Sequence, residues 1–395
     1  MDWRKHQNSG WLPSGLPIIV LAVVVSIIGV SYGIVTFGQL ALNAKLLHPD
    51  FYGIWSFSRF VHIYNVDQLY NHHALFSYQH KLSLHFHGFY PFAYPPCFLL
   101  VIWPLGLVKY GSALLLWNAV TLSMFALSIY CIMSKFGIKH NVLILFVLLS
   151  PPSILNAVLG ETGYLTAALL IGGFALLQKR PAVAGIIFGF LAIKPQMAVL
   201  IPCALLGIKS WRAFVFAALT VTTLILLSGA LFSYHLWFTF LYNLPTYQAA
   251  VMHSTRLKRL MTTIEAVSEV LGVPNTIAVF FQAGASITVG VIIYLVFRKC
   301  SYISAVALFI IGSTIASPHA YIYDTPEIGL SMILIAAEMA NRGRPFQFIE
   351  IFMGLVALLM PLDTGPAHIP LVIPGLIDVV MFAITSRLVL PELIT

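Results

Sequence analysis

The sequence predicts an all-α polytopic membrane protein, and three observations carry that prediction. Of the 395 residues, 59% are hydrophobic and 9% are charged, against about 25% charged in a soluble globular domain. So few charges cannot cover a water-facing surface of this size, which excludes a soluble enzyme and a disordered chain. The apolar residues also come in long unbroken runs, whereas an outer-membrane barrel shows short alternating strands. The net charge of +8 is not arranged as a basic stripe, so it reads as the basic excess of cytoplasmic loops rather than as a nucleic-acid surface. Cys97, Cys131, Cys203 and Cys300 are scattered, with no disulfide framework and no metal spacing.

The first element is the run from Leu16 to Leu42, which follows a polar terminus carrying Arg4 and Lys5. It is too long for a signal-peptide core and long enough to span, so it is read as a retained anchor. A polar, histidine-rich and aromatic stretch follows over 43–94. The run 97–108 is short and holds Pro104, which suits a helix lying in the interface better than a span. Further runs lie near 111–133, 141–159, 163–178, 183–193, 197–208, 213–232, 277–297, 302–316, 326–340, 346–360 and 368–386. The two short ones flank Lys194-Pro195 and read as half-helices meeting below the outer surface.

With 97–108 set aside, about twelve transmembrane helices are expected. Basic residues then orient them. Lys135 and Lys139, Lys179 and Arg180, Lys209 and Arg212, Arg298 and Lys299, and Arg342 and Arg344 all fall on one side. That side is the cytoplasm. Both termini lie inside, a first periplasmic loop with juxtamembrane helices spans 43–110, and a second spans 233–275. No composition shift divides the chain, so 1–395 is expected to be a single integral-membrane domain.

This topology gathers the unusual polar residues on the outer face. Asp50 follows the first span, Glu161 joins spans three and four, and Lys194-Pro195-Gln196 joins five and six. Arg256, Lys258 and Arg259 lie in the second outer loop. Ser317-Pro318-His319 and Tyr323-Asp324 join nine and ten. Ionisable groups at membrane depth are costly and are read as functional by default. Each also has a plainer reading: Asp50 as the cap of a helix near Tyr52, Glu161 as a cap of span four, Lys194 snorkelling to headgroups. Asp67 and Glu265 read as surface groups, and Asp378 as a partner of a neighbouring helix. The loop-one histidines, including His72-His73 and His85-Phe86-His87, lack accompanying cysteines or clustered acids, so no metal is expected.

One-face carboxylates with nearby cations suit transfer from a lipid-linked phosphate donor. A carboxylate can take the proton from an acceptor hydroxyl, and cations can neutralise the departing phosphate. A monophosphate leaving group needs few cationic partners and no cofactor.

These residues resemble glycosyltransferase family 87 of the GT-C membrane superfamily, the polyprenyl-phosphate-mannose-dependent family that includes the mycobacterial phosphatidylinositol-mannoside mannosyltransferase. The resemblance rests on Pro49–Tyr52, Tyr94-Pro95-Pro96, Gly160-Glu161, Ala184-Gly185 with Lys194-Pro195, and Ser317-Pro318-His319 with Tyr323-Asp324. It runs from about 45 to 330 in preserved order. It implies a GT-C-like fold in a bacterial inner membrane, with the site facing the periplasm and inversion at the anomeric carbon. By this resemblance Asp50 matches the catalytic aspartate, His319 a late outer-face histidine and Lys194 an outer-face lysine. Glu161 departs from the family, where many relatives carry glutamine.

The expected function is therefore transfer of a hexose, mannose by the resemblance, from a polyprenyl-phosphate-sugar lipid to a glycolipid or glycan acceptor. Asp50 and His319 are the expected catalytic residues, with Lys194, Arg256, Lys258 and Arg259 on the donor phosphate. Tyr52, Tyr94, Glu161, Gln196, Tyr323 and Asp324 are the expected substrate contacts. Two rival classes are a transporter or flippase of lipid-linked sugars and a non-catalytic scaffold. The first would show inverted repeats and charges along a path through the membrane; the second would not need carboxylate, lysine and histidine together.

Overall fold

The computed structural model describes residues 16–42, 49–83, 86, 88–138, 141–253, 258–344, 348–359 and 374–389. Among them there is no β-strand, and one isolated antiparallel bridge joins Met261 to Tyr321. The chain opens with α1 (Leu16–Leu42), α2 (Phe51–Ile63) and α3 (His72–Leu82). The short α4 (Leu99–Ile102) sits between 3₁₀ turns at Pro96–Phe98 and Trp103–Leu107. Then come α5 (Tyr110–Lys135), α6 (Asn141–Leu148), α7 (Pro151–Leu159) and α8 (Gly163–Leu177). They are followed by α9 (Pro181–Gly189), α10 (Ile201–Gly207), α11 (Trp211–Leu231), α12 (His235–His253) and α13 (Ile264–Val270). The last are α14 (Asn275–Lys299), α15 (Tyr302–Ala316), α16 (Ile328–Asn341), α17 (Phe348–Leu359) and α18 (Pro374–Val389).

Helices α5, α11 and α14 are each long and apolar enough to cross a membrane. Only 17% of the apolar stretch of α11 is buried in the protein, and Leu115, Phe280 and Ile287 stand in the open on these helices. Such faces need lipid, not water, against them. Helices α8 and α15 are the opposite case: nearly every residue of both is buried, so they form the centre of the bundle.

The run 141–159, read as one span, is two helices bent by 54°. Pro151 and Pro152 open α7; without an N–H at Pro151 the helical ladder of α6 cannot continue through it. The half-helices on either side of Lys194 are present as expected, α9 running on as a 3₁₀ turn to Ile193 and another turn covering Pro195–Ala198. Helix α9 lies tightly on α11 because Gly185 and Gly189 are four residues apart. A Cβ on Gly185 would come within 2.3 Å of the Ala213 carbonyl oxygen, and one on Gly189 within 2.5 Å of Thr220 Cβ.

The segment Pro96–Leu107 is docked under α2. The Ser58 hydroxyl donates to the Ile102 carbonyl at 2.7 Å and accepts from the Gly106 N–H at 2.6 Å, while Cys97, Phe98, Leu99 and Ile102 are fully buried. The second long loop is tied to the turn after α15: the Thr262 N–H donates to the Ala320 carbonyl and the Ile322 N–H to the Leu260 carbonyl, both at 3.0 Å. At the far end of α8 stands a different set of charges. The Lys135 ammonium lies over the Tyr302 ring, and Arg342 donates to Glu338 and to the Leu388 carbonyl.

Candidate active site

The site is built where α7, α8, the turn Ile322–Asp324 and the Lys194 break converge beside the start of α2. Gly160 ends α7 in the left-handed conformation, at φ 67°. A side chain there would be strained, and a Cβ would come within 2.6 Å of Phe51 Cβ. The bare turn therefore lets the end of α7 lie against Phe51, the residue that follows Asp50. At Gly163 a Cβ would come within 2.4 Å of the Tyr323 carbonyl oxygen. Asn156 locks that approach by donating from Nδ2 to the Tyr323 carbonyl at 3.0 Å and accepting from the Tyr164 N–H at Oδ1.

Lys194 enters this junction because Pro195 stops the preceding turn from continuing as a helix. It does not snorkel: it is 5% exposed. Its Nζ donates to Asp324 Oδ1 at 2.5 Å and to the Thr162 hydroxyl at 3.0 Å. Asp324 is fully buried, and its other oxygen accepts from the Tyr321 N–H at 3.2 Å. Thr162 in turn donates its N–H to Glu161 Oε2 at 3.1 Å. Burial, and next the Asp50 carboxylate, raises the Glu161 carboxyl well above the usual range.

Asp50 precedes α2 but makes no side-chain capping bond to it. Its half-buried carboxylate instead accepts from the Tyr90 hydroxyl at 3.2 Å. His319 is half-buried, with its ring edge-on to Tyr321 at 5.1 Å. Burial, and next the Lys194 ammonium, holds its imidazole below the ordinary histidine range, so it is neutral at pH 7. The structure thus brings together Asp50, Glu161, Lys194, His319 and Asp324 from four separate stretches of the sequence. Tyr94 and Tyr323 are half-buried beside them, and Gln196 is half-buried on the turn after Lys194.

Other expected site residues are placed differently. Tyr52 is 3% exposed, and its hydroxyl donates to the Gln79 carbonyl at 2.7 Å, so it ties α2 to α3 within loop one. Asp324 is sealed behind Lys194. Lys258 is paired with Glu269 at 2.7 Å, Arg259 is exposed, and Arg256 lies outside the described residues. Glu265, expected at the surface, is 4% exposed, whereas Asp67 is exposed as expected. Asp378 does meet a neighbouring helix, accepting from the Thr314 hydroxyl at 2.8 Å. Among the described residues no three His, Cys, Asp or Glu side chains gather as metal ligands.

Sequence reasoning missed Glu327, which is 1% exposed and whose two carboxylate oxygens have no hydrogen-bond partner among the described residues. Its signal was its position three residues after Asp324, in an otherwise apolar run. Tyr90, Thr162 and Asn156 were also missed; neutral residues in loops and helix ends carry no pattern of their own.

The fold and this cluster define an all-α membrane protein with acids and a lysine gathered at one end of its bundle. The sequence model of glycosyltransferase family 87 matches residues 92–318, more than half of the chain. The chain belongs to that family, and it is a membrane glycosyltransferase. No curated protein and no solved structure matches it. Glu161, Lys194 and His319's neighbour Pro318 lie within the matched stretch, and Asp50, His319 and Asp324 lie outside it.

Proposed function

We propose that this glycosyltransferase moves a hexose from a polyprenyl-phosphate donor lipid to a glycolipid or glycan acceptor, on the periplasmic face of a bacterial inner membrane. Mannose is the sugar that the family resemblance implies. The whole chain acts as one membrane-embedded unit of about twelve spans, with the loops 43–110 and 233–275 roofing the site.

In this reading Asp50 takes the proton from the acceptor hydroxyl. The acceptor oxygen then bonds to the anomeric carbon from the side opposite the phosphate, and the configuration inverts. The bond from that carbon to the phosphate oxygen breaks, and its electron pair leaves with the lipid monophosphate. Lys194 receives the charge. An ammonium has three donors, and Asp324 and Thr162 engage two, which leaves one for the phosphate. The neutral His319 imidazole adds a hydrogen bond to the same group. Asp324 positions Lys194 rather than touching substrate. The observation that carries the proposal is a half-buried Asp50 carboxylate that takes the Tyr90 hydroxyl and does not cap α2, in one cluster with a buried lysine held by fixed partners.

The test is a transfer assay in membranes with a panel of polyprenyl-phosphate sugars. Incorporation from a lipid monophosphate sugar, absent with nucleotide sugars, is the expected result. Incorporation from nucleotide sugars alone would overturn the donor assignment.

A further inference from the structure

Loop one carries a ribbon of aromatic rings that ends on Asp50. At its outer end Phe76 of α3 is 44% exposed, and it is packed against the His80 ring at 4.1 Å. His80 lies 5.6 Å from Phe86, and Phe86 stacks on Tyr90 at 5.5 Å and 11°. The Tyr90 hydroxyl then donates to Asp50. Phe89 widens the outer end, 6.0 Å from Phe76, and His72 lies 5.4 Å beyond it. These rings are held in place: His80 Nε2 meets the Gly88 carbonyl at 3.1 Å, and Gln79 clamps Tyr90 at both its backbone N–H and its carbonyl.

We propose that this ribbon is the acceptor subsite, and that the acceptor is a saccharide chain whose sugars remote from the reacting unit lie on Phe76 and His80, the buried Phe86 joining that end to Tyr90 and Asp50. The proposal rests on the transferase reading above. A pyranose ring has one apolar C–H face and a rim of hydroxyls, and an aromatic face beside imidazole nitrogens matches both. The surroundings favour a sugar over a lipid tail. His72, His73, Asn71 and Lys81 stand exposed around Phe76, whereas the long apolar helices α5, α11 and α14 expose large apolar side chains such as Leu115, Leu219 and Phe280. Continuity decides the polarity of binding. The inner end of the ribbon is the group that deprotonates the acceptor hydroxyl, so the rings order the acceptor and leave the donor to the Lys194 side. His72 and His80 thereby gain a role that needs no metal.

The experiment uses the full-length protein in detergent and the variants Phe76→Ala and His80→Ala, with thermal unfolding as the check on folding. Mannotriose and maltotriose binding is followed by saturation-transfer NMR, and the acceptor and donor KM are measured by transfer. Removing one ring from beneath a bound sugar weakens its binding roughly tenfold. The expected result is a loss of the trisaccharide signal and a rise of about that size in acceptor KM, with donor KM unchanged. Equal trisaccharide signals for Phe76→Ala and wild type, or no signal from wild type, would overturn the subsite. A rise in donor KM instead would assign the ribbon to the lipid donor and overturn it as well. If wild type transfers no sugar but binds trisaccharide in a Phe76-dependent way, the transferase reading fails and the saccharide subsite stands.

Discussion

Lys194 and Asp324 lie 130 residues apart in the chain and meet at 2.5 Å, with the carboxylate fully buried. The pair ties the break between α9 and α10 to the turn before α16, and so fixes two walls of the site against each other. Its worth is not simply its Coulomb attraction. Both ions lost their hydration on folding, and a buried pair can cost as much as it returns. What it supplies is a lysine held at a defined place.

That argument separates stability from activity. Asp324→Asn strands a buried ammonium, and breaking a buried pair costs about 3–5 kcal/mol. The double variant Lys194→Met/Asp324→Leu strands neither charge and should unfold at a higher temperature than Asp324→Asn in the same detergent, yet transfer no sugar. Thermal melts of Lys194→Met, Asp324→Leu and the double would check it. Additive effects of the singles would show that the residues do not act as a pair.

Glu327, just before α16, makes a second prediction. It is 1% exposed, and neither carboxylate oxygen has a hydrogen-bond partner among the described residues. Burying a charge without a partner is costly. Glu327→Gln keeps the shape and cannot carry the charge, so it should melt at or above the wild-type temperature in the same detergent. A clearly lower melting temperature would show that the carboxylate is charged and held by a partner.

Much of the molecule could be read from the chain, and the parts that could not have physical reasons. Apolar runs fix helices because their length and lack of charge leave no other environment, and Lys194-Pro195 announced its own break. The 54° bend at Pro151 was legible in the two prolines, but a hydropathy run does not register a missing N–H. Asp50, Glu161, Lys194 and His319 were found because charge is rare at membrane depth. Their partners were harder. Tyr52 and Asp324 have the residue types of substrate contacts, and only burial shows that one holds a loop and the other a lysine. Lys258 is likewise indistinguishable from a phosphate ligand until Glu269 is placed beside it.

A third prediction concerns metals. In the proposed reaction the leaving group is one phosphate, and Lys194 with His319 would supply its partners. Transfer in membranes washed with EDTA should proceed at the untreated rate. A loss restored by manganese or magnesium would move charge neutralisation from Lys194 to a cation.

The last prediction is Asp50→Asn. The carboxylate makes no capping bond to α2, so its replacement should not unravel the helix, and asparagine still accepts from the Tyr90 hydroxyl through its carbonyl oxygen. The neighbouring carboxyl at Glu161 should titrate at lower pH once the Asp50 charge is gone, since that charge is one of the causes holding it up. What disappears is a group able to take a proton in the transition state, worth about 10²–10⁴-fold in rate. Transfer should therefore fall by at least about a hundredfold while donor KM changes little. Lys194→Ala should behave otherwise and raise donor KM together with the loss of rate, because the ammonium meets the phosphate in the ground state as well as in the transition state. Tyr90→Phe isolates the hydroxyl contact: it removes one hydrogen bond to the carboxylate but leaves the base in place, and should cost less than Asp50→Asn. Wild-type transfer by purified Asp50→Asn would remove Asp50 as the base and leave Glu161, the neighbouring carboxyl on the turn between α7 and α8, to be tested next.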